Sequence, residues 1–263
     1  MGIWDKVPVS LAKQGILQWH IGPVTVYVRS MLGEIHIAYR YVEDESEVKS
    51  TGPVTVEEIP EDLSLSRYVV GDSTDTIRLL PALPDRPVVV SPEFPVKLIP
   101  GSRALFYVSI PGWVQVKTGE KSETVLQEIP TRVLSNTWIG DTLAGEAAYA
   151  LNTRARRELE PGQSMDSNVL CTVTLHNAGS ETIDFQNLTI HAENLKIYRG
   201  SFQLWSSEVA ITFMGALQSP WTDYSKAPGY EADCELISGE RVSAQKSMLK
   251  KGFGFLRTVS KST

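Results

Sequence analysis

Few residues in this chain have a type and spacing that could support catalysis, and Ser73 is the first of them. In "RYVVGDSTDTIRLLPALP", residues 67–84, a short apolar run, Tyr68-Val69-Val70, empties into Gly71-Asp72-Ser73. That is one way to raise a hydrolytic serine at a strand end. Such a serine needs a base, supplied in this arrangement by an Asp-x-x-His pair near the C-terminus. The chain has four histidines, His20, His36, His176 and His191, and none follows an aspartate by three positions. No alternation of strand and helix surrounds residue 73 either, so a polar turn is expected there, with Asp72 and Ser73 bonding nearby backbone. No residue is expected to be catalytic on this evidence.

The histidines raise a second chemistry. His20 and His36 lie on neighbouring predicted strands, as do His176 and His191, so each pair could meet across a sheet and recruit a carboxylate such as Glu34 or Glu193. The spacing matches no zinc motif, and strand histidines more often end half-buried and hydrogen-bonded. Neither a metal site nor a cofactor is expected.

A third grouping lies in "NTWIGDTLAGEAAYALNTRARR". Asn136, Trp138, Asp141 and Glu146 offer an amide, an aromatic platform and two carboxylates within eleven residues, and Arg154, Arg156 and Arg157 add positive charge. Such a set could hold a small polar ligand or a loop of a protein partner. The bland alternative makes Gly140-Asp141 and Ala144-Gly145 turn corners, Trp138 core, and the arginines a solvated edge. The last grouping is the tail "RVSAQKSMLKKGFGFLRTVSK", where apolar residues interleave with lysines. Peripheral contact with an anionic membrane surface fits that pattern, but the alternation Phe253-Gly254-Phe255 fits a final docked strand better.

Composition narrows the classes. The 263 residues suffice for two domains or one large β domain, with 25 basic against 31 acidic residues for a net charge of −6. That balance argues against a nucleic-acid binder, which needs a positive excess on at least one face. The charge is uneven: residues 43–62 hold eight carboxylates and one lysine, while every charged residue after Glu240 is basic. With only Cys171 and Cys234, a disulfide-stapled secreted domain is not expected. No basic leader with an apolar run opens the chain, and no apolar run approaches a membrane span, so a cytoplasmic location is expected.

The elements that must position these residues read as strands. "ILQWHIG" and "PVTVYVRSMLGEIHIAYRYV" are rich in β-branched and aromatic residues, with Ile35, Ile37, Tyr39 and Tyr41 on one face of a hairpin. Six prolines between residues 81 and 100 favour extended edge segments, "PVVV" and "FPVKLI", over central strands. Residues 147–159 have helix-forming composition. An internal echo argues for strand there: strand, Pro-Gly turn, strand runs through residues 94–111 and again through 155–177. In "VLCTVTL", Val169, Cys171, Val173 and Leu175 share one face. The expected fold is all-β, two immunoglobulin-like sandwich halves with little helix. The boundary separates an N-terminal domain, 1–140, from a C-terminal one, 141–263.

Two blocks carry a family resemblance. "LPALPDRPVVVSPEFPVKLIPGSRALFYVSIPGWVQV", residues 80–116, and "LSNTWIGDTLAGEAAYALNTRARREL", residues 134–159, resemble the signature regions of the family catalogued as domain of unknown function 432. The resemblance implies a prokaryotic, cytosolic protein and transfers no catalytic or binding residue. The residues themselves point to a non-catalytic binding module for a protein partner or a small ligand. The competing class is an enzyme whose site assembles near residues 136–146, with Asp141, Glu146 and His176 in acid-base roles.

Overall fold

The computed structural model describes residues 3–4, 8–11, 15–42, 50–70, 76–119, 123–143, 145–159, 166–215, 220–231 and 233–243. Their regular structure is all strand apart from one 3₁₀ turn, Ala192–Asn194. The all-β expectation therefore holds. Ser73, the tail beyond residue 243 and the second Pro-Gly turn lie outside the described residues. The chain divides into two compact units, each built from separate stretches. Unit 1 takes Met1–Ala82, Pro111–Arg132 and Met165–Ser167; unit 2 takes Leu83–Ile110, Val133–Ser164 and Asn168–Thr263.

Unit 1 holds two sheets, with strands numbered along the whole chain. The five-stranded sheet has the order β5 (Thr51–Val56), β2 (Ile16–Ile21), β3 (Val24–Met31), β4 (Glu34–Tyr41), β6 (Ser66–Val69). The four-stranded sheet has the order β1 (Val9–Ser10), β7 (Thr76–Ala82), β11 (Trp113–Thr118), β12 (Thr124–Pro130). Register aligns Leu17, Trp19 and Ile21 of β2 with Val28, Val26 and Val24 of β3, and these valines with Ile37, Tyr39 and Tyr41 of β4. That puts the apolar residues of three strands on one face. The hydroxyls of Tyr41 and Tyr68 reach from this sheet to β12, donating to Pro130 O at 2.9 Å and Gln127 Oε1 at 3.3 Å.

Two turns show what the backbone demands. Ile21 pairs with Val24, leaving a two-residue turn whose Gly22 has φ +53°, and a Cβ there would lie 2.4 Å from Ser167 Oγ. Both conformation and space call for glycine. Ser167 also joins a buried knot. Thr131 Oγ1 donates to Gly112 O at 2.7 Å and lies 3.2 Å from Ser167 O, while Gly112 N donates to Ser167 O at 2.8 Å. Replacing Thr131 by Val keeps the shape and removes the hydroxyl donor, while Gly112 O and Ser167 O keep their backbone donors, so it is expected to cost about 0.5–1.5 kcal/mol in a urea melt.

Unit 2 contains three sheets. One has the order β13 (Ser135–Ile139), β14 (Glu146–Ala150), β8 (Val88–Val90), β17 (Leu188–Ile190). A second pairs β9 (Val96–Leu98) with β16 (Ile183–Phe185). The largest is built on β15 (Asn168–Asn177), which pairs with β10 (Arg103–Pro111) and lies parallel to both β19 (Leu204–Ser206) and β20 (Val209–Phe213). Its flanks are β18 (Ile197–Arg199) and β22 (Glu235–Ser238) on one side and β21 (Trp221–Asp223) on the other.

Three expectations meet this topology. Residues 146–150 are strand, with Ala148 fully buried, so the helix-forming composition yields to tertiary pairing. Val169, Cys171, Val173 and Leu175 are all fully buried on one face of β15. By contrast, the "PVVV" segment is not an edge: β8 has β14 and β17 as neighbours. Its prolines, Pro87 and Pro92, flank the three strand residues and cost the ladder no donor.

The core of unit 2 includes a chain of rings. Phe106 stacks on Phe185 with centroids 6.4 Å apart, and Phe185 meets Phe213 edge-on at 6.1 Å. At the end of β15, Asn177 is buried and ties separate segments together. Its Nδ2 donates to Leu98 O and Glu181 O, both at 2.8 Å, and its Oδ1 accepts from Gly179 N at 3.1 Å.

Candidate functional site

The five residues singled out for ligand binding all fall on or near the β13–β14 hairpin of unit 2, on two faces and a turn. Asn136 pairs with Tyr149 and Trp138 with Ala147, so Asn136 and Trp138 share one face of the hairpin. Glu146, opposite Ile139, is on the other face, with Thr137 and Ala148. Asp141 is in the connecting turn. Arg154 is exposed beyond the far end of β14, the end opposite to Glu146. Its basic neighbours are engaged otherwise: the Arg157 guanidinium covers the Phe106 ring at 5.1 Å, and the Arg156 backbone bonds that of Tyr107.

The turn is held by Asp141. Its carbonyl accepts from Trp138 Nε1 at 3.0 Å and from Gly145 N at 2.7 Å, and its Oδ1 accepts from Leu143 N at 2.8 Å. A Cβ on Gly145 would come within 2.5 Å of Trp138 Nε1 and of two backbone oxygens, so glycine is required for the closure. This fixed turn presents apolar groups to solvent. Trp138 is 50% exposed and Leu143 96% exposed. Trp205 shows the contrast: it is buried, stacked under Tyr230 at 5.4 Å, and its Nε1 donates to Glu231 Oε1 at 3.0 Å. One tryptophan is core, and the other is displayed.

On the opposite face, Glu146 meets a residue the sequence reading did not pair with it. His191 follows β17, and its Nε2 is 3.9 Å from Glu146 Oε1 while its Nδ1 is 3.0 Å from Glu193 Oε1. The second oxygen of Glu193 is buried without a hydrogen-bond partner among the described residues. Burial, and then the charge of Glu193, raises the pKa of the neighbouring Tyr224 phenol. The signal for His191 meeting Glu193 was local, since they are two positions apart; Glu146 arrives through β8, from 45 positions away in the chain.

The other histidines disperse. His20 and His36 are on β2 and β4, with β3 between them. His36 Nδ1 accepts from Arg29 Nε at 3.1 Å, so its Nε2 carries the proton donated to Glu34 Oε2 at 2.7 Å. Burial, then the Arg40 charge, lowers the pKa of His20. His176 is opposite Thr212 in the sheet of β15, whereas Glu146 belongs to the sheet of β14 and Asp141 to the turn before it. Among the described residues, no group of three or more His, Cys, Asp or Glu side chains is arranged to hold a metal ion. Among them, too, no helix is long and apolar enough to cross a membrane.

The described residues therefore form a β protein whose β13–β14 hairpin displays Trp138 and Leu143 to solvent. The chain belongs to the family described as "Protein of unknown function (DUF432)", whose model matches residues 3–257. No curated protein and no solved structure matches it.

Proposed function

We propose that this protein is a non-catalytic recognition module of β-sandwich units that binds a protein partner through the β13–β14 hairpin. The observation that carries the reading is the turn at residues 140–145. Three hydrogen bonds to Asp141 hold Trp138 and Leu143 in place while leaving them in solvent. A pre-ordered apolar protrusion loses little conformational entropy on binding, and an exposed tryptophan is the residue type most enriched among binding hot spots.

The test is capture of partners from the native host by the wild type and by a Trp138→Ala, Leu143→Asp variant. Truncation of a hot-spot tryptophan costs about 2 kcal/mol or more, a loss of roughly thirtyfold in affinity. The melting temperature is expected to stay close to the parent's because both side chains are exposed. Undiminished capture by the variant would overturn the reading.

A second reading rests on Glu146, His191 and Glu193, whose imidazole-carboxylate contacts suit acid-base chemistry. A turnover abolished in His191→Gln, with folding intact, would favour it.

A further inference from the structure

From the sheet edges we infer that the hairpin's partner includes a second copy of this chain, joined by antiparallel pairing of β13 with β13. This rests on the hairpin being a contact surface. An edge strand offers a row of backbone donors and acceptors, and natural proteins guard such edges with short strands, charges or prolines. Among the described residues, every edge strand but one is four residues or shorter or carries such a guard. The longer guarded edges are β5, with Pro53, β10, with Arg103 and Pro111, and β12, with Glu128 and Pro130. The exception is β13, Ser135-Asn136-Thr137-Trp138-Ile139, which is outermost in its sheet and has neither a charge nor a proline.

The occupant follows from the composition of that strand. In a chain of net charge −6, a self-contact must avoid placing like charges opposite each other. β13 meets that requirement because it is neutral. A twofold axis at Thr137 sets Thr137 against Thr137, Asn136 against Trp138, and Ser135 against Ile139, an isologous arrangement in which one patch serves both copies. Asn136 and Trp138 lie on one hairpin face, so the two Trp138 rings become diagonal neighbours within reach of each other. Continuing the register past the strand ends carries Val133, 73% exposed, toward the turn that displays Leu143 in the other copy. The contact then brings the exposed Trp138 and Val133 of each copy against the other, and the four-stranded sheet of β13 continues into its twin.

The experiment uses the full chain and exploits the self-pairing of position 137. Wild-type protein, 29.1 kDa as a single chain, is expected to double in mass by sedimentation as concentration rises through the micromolar range. Thr137→Lys and Thr137→Glu are each expected to remain at the single-chain mass, because like charges then face each other across the axis. Mixed in equal amounts they are expected to restore the doubled mass, as a pair of unlike copies. A wild type that keeps the single-chain mass throughout, or Lys and Glu variants that associate as the wild type does, would overturn the proposal.

A Thr137→Cys variant in a Cys234→Ser background covers the case in which the charged variants fold poorly. Opposed residues of antiparallel strands have Cα atoms about 4.5–5.5 Å apart, within disulfide range. Mild oxidation is expected to cross-link the copies, and no cross-link would count against the pairing. Self-association can also fail alone: a single-chain wild type whose partner capture still depends on Trp138 overturns the dimer and leaves the recognition reading standing. A dimer that forms while hairpin variants capture partners unchanged has the opposite meaning.

Discussion

Replacing Asn177 by Leu is expected to destabilise the protein by roughly 2–6 kcal/mol, read as a fall in the urea midpoint. The side chain is 1% exposed and its amide donates to Leu98 O and Glu181 O while accepting from Gly179 N. Leucine fills a similar volume and leaves all three backbone groups without that partner. The stranded Leu98 O is buried and costs about 1–3 kcal/mol, the two part-exposed groups about 0.5–1.5 kcal/mol each, and whole domains are stable by only about 5–15 kcal/mol. Asn177→Asp is expected to be nearly as harmful, because a carboxylate would face two carbonyl oxygens. A loss below about 1 kcal/mol in both variants would mean that the amide does not hold these segments together.

Alkaline pH is expected to destabilise the protein, with Cys171 as a principal cause. Its side chain is fully buried, and burial raises the thiol from an ordinary 9.0 to about 12, with the Glu208 charge adding and a Ser206 hydrogen bond opposing. A group with a raised folded pKa holds its proton more tightly when folded. Its contribution is therefore complete below pH 9 and is lost as pH climbs from 9 to about 12. At about 1.4 kcal/mol per pH unit this amounts to roughly 4 kcal/mol across that window. Tyr41, Tyr107, Tyr149 and Tyr224, all raised mainly by burial, act with the same sign at higher pH. Cys171→Ala removes only the thiol's share. Its stability curve is expected to be flatter than the wild type's above pH 9, and parallel curves would exclude the thiol as a cause.

The strands were legible where side chains alternate strictly. β15 and the β3–β4 hairpin are examples, because a period of two survives any tertiary arrangement that buries one face. β14 was harder: Ala147, Ala148 and Ala150 favour helix locally, and only the pairings with β13 and β8 decide for strand. Asn136, Trp138, Asp141 and Glu146 are close in sequence, but the faces they occupy depend on register, which spacing alone does not specify. The Glu146 contact with His191 was out of reach for the same reason. It passes through β8, whose parallel pairing with β14 and antiparallel pairing with β17 bring together three stretches distant in sequence.

The division of each unit among three stretches has a consequence for how the chain is made. Unit 1 requires residues 165–167, because Gly112 and Thr131 bond to Ser167, and Gly22 lies against the same residue. During synthesis from the N-terminus, the five-stranded sheet can form early, but its unit stays incomplete until well over half of the protein has emerged. Unit 2 must meanwhile keep its first stretch, with β8, β9 and β10, unpaired until β14, β15, β16 and β17 arrive to take both sides of the ladders. Such long-range pairings close large loops before contacts reward them, so slow folding and prolonged exposure of unpaired strand edges follow. No single cut frees either unit whole, and a nascent chain halted near residue 140 is a natural client for a chaperone.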